Sequence, residues 1–112
     1  MTSTLSTNRV RELNDAFRAG GFSTGQWMLT RGVVALGPDF IALATRAVRE
    51  FDGFTKGNDP YGEHDFGSFN LCGETLFWKI DAYDTTLTYG SDDPSDPAVT
   101  RRVMTIMLAS EY

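Results

Sequence analysis

Glu63-His-Asp-Phe-Gly-Ser-Phe-Asn-Leu71, then Cys72-Gly73, then Glu74-Thr-Leu-Phe-Trp-Lys-Ile-Asp-Ala-Tyr83 is the stretch that decides the fold of this 112-residue chain. Two strand-like runs flank a short turn signal, which is the pattern of a β-hairpin. In the second run Leu76, Trp78, Ile80 and Ala82 alternate with Phe77, Lys79, Asp81 and Tyr83, so the first set is expected to face the core. Register decides which polar residues meet, because a slip of one residue moves every side chain to the other face. A two-residue turn sets His64 opposite Asp81 and Phe66 opposite Lys79. A three-residue turn with Gly73 left-handed sets Asp65 opposite Lys79 and Glu63 opposite Asp81. Turn chemistry favours the second, because a type I′ turn forces Cys72 to positive φ whereas the bulged turn asks this only of glycine. It also pairs opposite charges at Asp65 and Lys79.

Upstream of the hairpin, Thr7 or Asn8 can cap a helix running to about Ala19, with Val10, Leu13 and Phe17 on one face and Gly20-Gly21 as its stop. Residues 1–6 are expected to be a flexible leader. Gln26 to Leu36 is apolar and reads as a strand with a bulge at Gly32. Gly37-Pro38 places proline in the first turn of a second helix, Asp39 to Phe51, with Ile41, Ala44, Val48 and Phe51 as its stripe. Gly53 to Gly62 is a loop. Downstream, Thr85 to Tyr89 is a candidate short strand. Asp96 and Pro97 are placed to open a last helix carrying Val99, Val103, Ile106 and Met107. The expected architecture is a single α+β domain over residues 1–112. It has a small, largely antiparallel sheet of 3–4 strands with three helices packed on it, in the order α-β-α-β-β-(β)-α.

An apolar content of 41% supports one core at this length. No apolar run approaches the roughly 20 residues that a membrane span requires, and no signal-peptide pattern opens the chain. Cys72 is the only cysteine, which excludes an intrachain disulfide and a thiol-metal cluster. A cytoplasmic protein is the expectation. Charge is uneven along the chain. Between Glu50 and Asp96, eleven acidic residues oppose only Lys56 and Lys79, a balance of −9 within a total of −5. Direct nucleic-acid binding through a basic patch is disfavoured by an isoelectric point near 4.6.

The densest reactive group is Asn58-Asp-Pro-Tyr-Gly-Glu-His-Asp65, which Lys79, Asp81 and Asp84 approach from the next strand. Two like charges at Glu63 and Asp81 call for a cation, a shared proton or solvent between them. A divalent metal held by Glu63, His64 and Asp81, with Asp59 nearby, would satisfy that need. Lys79 and Asp65 beside it would complete a hydrolytic centre that activates water. In metal nucleases an acid usually stands two residues before the lysine, and here Phe77 holds that position. The bland reading is a polar network around His64, Asp65 and Lys79 that fixes the hairpin, with no cofactor.

The strings Asn58-Asp-Pro-Tyr-Gly-Glu-His-Asp-Phe-Gly67, Phe77-Trp-Lys-Ile-Asp81, Asp93-Pro-Ser-Asp-Pro97 and Arg102-Val-Met-Thr-Ile-Met-Leu-Ala109 resemble a small bacterial domain family of unknown function, number 3768. The likeness covers about Val10 to Tyr112. One departure is Ala82 where the family has a tyrosine before Tyr83. The resemblance implies no activity. It implies an origin in bacterial chromosomes, plasmids and mobile elements, often beside antirestriction-type genes, and hence an accessory or anti-defence role.

Together these point to a non-catalytic acidic domain that occupies a basic, nucleic-acid-binding surface of a host protein, in the manner of an antirestriction or anti-CRISPR inhibitor. Asp59, Glu63, Asp65, Asp84, Asp92, Asp93 and Asp96 would supply charge, and Tyr61 and Tyr89 aromatic anchors. The alternative is the metal-dependent hydrolase or nuclease of Glu63, His64, Asp65, Lys79 and Asp81. A homodimer through a sheet edge or the C-terminal helix is a third reading.

Overall fold

The computed structural model describes residues 4–23 and 25–112. Its elements are α1 (Thr4–Gly20), β1 (Gln26–Leu29), α2 (Arg31–Ala35), α3 (Pro38–Arg49), β2 (Phe66–Leu71), β3 (Glu74–Tyr83) and β4 (Arg101–Leu108). Short 3₁₀ turns follow α1 and β4. The strands form one sheet in the order β1-β4-β3-β2, with β1 parallel to β4 and the other pairs antiparallel. The helices supply Phe17, Val33, Phe40, Ala44 and Val48 to the same core as Trp27, Leu76, Trp78, Ile80, Met104 and Ile106. The α+β class therefore holds, with a mixed rather than purely antiparallel sheet and an element order ending in a strand.

The hairpin forms with the tighter turn, which corrects the favoured register. Leu71 pairs with Glu74 and Phe66 with Lys79, while Cys72 and Gly73 adopt φ of 50° and 81°. The reason is burial. This register turns Gly67, Phe69 and Leu71 toward the core, where Phe69 and Leu71 pack against it. A one-residue slip would expose both and bury Ser68 and Asn70. Fully burying a large apolar side chain is worth roughly 1.5–3 kcal/mol, and Phe69 and Leu71, each partly buried, together retain about that much. A left-handed Cys72 costs only about 1–2 kcal/mol, so packing outweighs turn chemistry.

The expected last helix is instead β4, the inner strand between β1 and β3. Arg102, Met104, Ile106 and Leu108 pair with Ala82, Ile80, Trp78 and Leu76, and Met104 and Ile106 are fully buried. Val103 and Met107, which fit a helical stripe, are buried on the other face. Asp96 does not cap a helix; its Oδ1 accepts the Ala98 amide at 2.9 Å in a local turn. The strand expected over Gln26 to Leu36 stops at Leu29, and α2 takes its place with Val33 turned inward. Gly32 is not a bulge. A Cβ there would meet Glu111 and Leu108, so glycine admits the C-terminal segment. Glu111 receives the Thr30 hydroxyl at 2.6 Å and the Gly32 and Leu108 amides at 2.9 Å each.

Residues 85–89 form a turn rather than a strand, with Asp84 Oδ1 accepting the Thr86 hydroxyl and the Thr86 and Thr88 amides. Helix α1 begins at Thr4, so the expected leader is helical over Thr4–Ser6, and residues 1–3 lie outside the described residues. Helix α3 ends at Arg49, short of Phe51. The core face of β3 is as expected, with Leu76, Trp78 and Ile80 buried and Ala82 partly so.

Candidate functional site

The loop between α3 and β2 is shaped by its own polar side chains. Asn58 accepts the Thr55 amide at 2.9 Å and donates to the Gly53 carbonyl at 3.0 Å, and Asp59 N donates to Thr55 O at 2.8 Å. The Asp59 side chain is only 6% exposed. It accepts the His64 amide at 3.1 Å and lies 3.5 Å from His64 Nε2. The other ring nitrogen, Nδ1, is 2.8 Å from Asp15 Oδ1 on α1. The imidazole lies flat on Phe54, with centroids 3.7 Å apart and planes 1° off parallel. His64 takes φ of 54° just before β2, and its ring contacts Asp15 and Asp59 rather than Asp81.

Beneath this stack, Arg18 ties the loop to the helices. Its Nη1 donates to the Val48, Arg49 and Phe51 carbonyls at 2.9, 3.3 and 2.8 Å, and Nη2 lies 3.2 Å from Asp15. The guanidinium carbon sits 5.4 Å from the Phe54 centroid and 5.2 Å from that of Trp78. Both nitrogens of His64 thus face carboxylates, an arrangement that holds the ring in place.

A second polar bridge joins the two acidic loops. Asn14, 3% exposed on α1, donates to the Glu63 carbonyl at 2.9 Å. Its Oδ1 receives Arg102 Nε at 2.6 Å, and Arg102 Nη2 reaches the Pro94 carbonyl at 2.5 Å. Arg11 adds a bond to the Gly62 carbonyl at 3.2 Å. The result is a recess of about 270 Å³ in whose lining Glu63, Asp65 and Asp81 meet Arg102, Asn14 and Pro94. Burial raises the Glu63 carboxyl above its ordinary value, and Asp65 and Asp59 add repulsion. Asp65 is exposed as a whole residue, but partial desolvation where it enters the recess likewise raises its carboxyl, with smaller repulsion from Asp59 and Asp81.

The residues singled out from sequence separate into three groups. Glu63, Asp65 and Asp81 share the recess. Lys79 binds Asp81 at 3.0 Å on the sheet face away from the helices, and that hydrogen bond raises the Lys79 ammonium above its ordinary value. The expected Asp65–Lys79 and Glu63–Asp81 cross-strand pairs do not form. Asp59 is internal, and Asp84, Asp93 and Asp96 organise turns. Asp92 is exposed, and Tyr61 and Tyr89 are 78% and 74% exposed. Among the described residues no three His, Cys, Asp or Glu side chains converge as a metal site. Asn14, Asp15, Arg18, Phe54 and Arg102 were not singled out. A signal existed for two of them, since Asn14 and Arg18 continue the apolar stripe of Val10 on α1, where polar residues need partners.

Fold and site together define an α+β domain with helices on one face of a mixed four-stranded sheet and two acidic loops pinned at one end. The chain belongs to the family described as protein of unknown function, DUF3768, whose model matches residues 29–111. No curated protein and no solved structure gives a significant match. Among the described residues no helix is long and apolar enough to cross a membrane.

Proposed function

We propose that this chain is a non-catalytic protein-interaction domain that sets its acidic end against a basic surface of a host protein, as an anti-defence inhibitor of antirestriction or anti-CRISPR type would. The observation that carries the reading is the Asn14–Arg102 bridge, which holds the loop around Glu63 and the loop around Pro94 to the same end of the sheet. Charges displayed in a fixed pattern lose less entropy on binding than charges on a loose tail. Asp65, Asp92 and Asp93 are exposed there with Tyr61 and Tyr89 on the same two loops. Exposed aromatic anchors on loops that also carry carboxylates suit a lysine- and arginine-rich surface such as a nucleic-acid-binding channel.

The test is affinity capture from the host by the wild-type protein and by an Asp65→Lys/Asp92→Lys variant of unchanged melting temperature. A basic protein retained at about 50 mM salt, released at about 500 mM and lost with the variant supports the proposal. Equal recovery by both proteins sinks it. Calorimetric titration with Mn²⁺ addresses the hydrolase alternative. A stoichiometric site abolished by Asp81→Ala would replace the binding proposal with a metal-dependent one.

A further inference from the structure

Strand β2 is an outer strand of the sheet, and it carries none of the usual devices that keep such a strand from pairing. Its sequence, Phe66-Gly-Ser-Phe-Asn-Leu71, contains no charge and no proline, and its register with β3 runs without a bulge. The opposite edge, β1, is only four residues long. Ile80 N donates to Asp65 O at 2.8 Å, so Asp65, and by alternation Gly67, Phe69 and Leu71, direct their backbone groups toward β3. Phe66, Ser68 and Asn70 therefore present theirs to the free edge. Ser68 and Asn70 are exposed, and among the described residues no backbone bond from another segment reaches these three.

We propose that two copies of the chain pair β2 with β2, antiparallel about a two-fold axis at Ser68, to make one eight-stranded sheet with all helices on one side. This register places Ser68 opposite Ser68 of the second copy and Phe66 opposite its Asn70. All are residues with outward backbone groups, giving about six hydrogen bonds. It also keeps faces matched, because paired residues share parity, and it sets Gly67 against Phe69 of the second copy. Charges at the seam do not oppose it. The nearest acid, Asp65, falls opposite Leu71 of the second copy. The two Asp65 residues then stand about 20 Å apart along the strands, well beyond a screening length of about 8 Å at physiological salt. An uncharged strand is complementary to itself in a way that the acidic loops are not.

The test is mass measurement by light scattering at about 100 µM, followed by directed cross-linking. The expected mass is twice the 12.4 kDa of one chain. Ser68→Lys places like charges on the axis and should raise the dimer dissociation constant at least tenfold, with the circular dichroism unchanged. In a Cys72→Ser background, Ser68→Cys should cross-link under mild oxidation, because Cα atoms about 5.5 Å apart lie within disulfide reach. Asn70→Cys should not, because it faces Phe66. A monomer at that concentration, or a dimer that Ser68→Lys leaves intact, overturns the proposal. Should Ser68→Lys fail to fold, the cysteine pair decides, and cross-linking at both positions or at neither refutes the register.

Discussion

Replacing Arg18 by methionine tests the way the α3–β2 loop is held. Methionine keeps an apolar stem against Phe54 and Trp78 but removes every donor. Three carbonyls at the end of α3 then lose their partner, two of them at 2.8–2.9 Å. Hydrogen bonds to a charged group contribute about 1.5–3 kcal/mol each, and weaker ones about 1 kcal/mol. Two strong bonds and one weak one suggest a gross loss of about 4–7 kcal/mol. Two effects reduce it: Arg18 Nε is buried without a partner, and desolvating the charge already costs the wild type. A net destabilisation of about 3 kcal/mol is expected, which for a domain of this size lowers the melting temperature by roughly 12–24 °C. Arg18→Lys, which offers a point charge instead of a fork, should fall in between. Urea titration followed by Trp fluorescence and far-ultraviolet circular dichroism measures both. A loss below about 1 kcal/mol for Arg18→Met would refute the claim that this guanidinium secures the helix end.

Titration of the recess gives a second expectation. Glu63 and Asp65 have raised folded values, so the folded state binds more protons than the unfolded chain between their ordinary values, 4.5 and 3.8, and the raised ones. Their contribution to stability therefore declines as pH rises through that window. Asp84 and Glu111, lowered chiefly by the Thr86 and Thr30 hydroxyls, act in the opposite sense and lose their contribution as pH falls. Glu63→Gln/Asp65→Asn should consequently be more stable than the wild type at pH 7, with little difference at acid pH. Equal stability in urea at neutral pH would show that the recess carries no strain. Gly67→Ala should cost about 3 kcal/mol or more, because its Cβ would collide with the Trp78 indole nitrogen and the Phe51 ring. Thermal melting within a few degrees of the wild type would contradict that packing.

The hairpin, α1, α3 and the loop before the hairpin were legible because period and punctuation agree there. Pro38 sits in the first turn of α3, and Gly21 at φ of 61° follows α1. Residues 99–108 were misread because Val103, Ile106 and Met107 satisfy a helical period and an inner strand buried on both faces equally well. Asp96-Pro97 strengthened the wrong choice with a helix-start signal that belongs to a turn. The turn at Cys72 was decided by Phe69 and Leu71, whose burial depends on β3 and cannot be weighed from turn residues alone. In the site, the acidic residues were visible but their partners were not. Asp15 and His64 are brought together only by packing α1 against the loop, and Arg102 reaches Asn14 only because β4 is a strand.

The place of β4 also bears on when this protein can acquire its shape. The strand closest to the C-terminus lies between β1 and β3, so Gln26 waits for Val103 and Leu76 for Leu108. A growing chain therefore leaves the ribosome with its sheet split into a hairpin and a lone strand, and the edge of β3 that β4 will occupy unpaired. Such distant pairings make assembly slow relative to a helical domain. Chains that end before Arg101 should be captured by chaperones or proteases rather than accumulate.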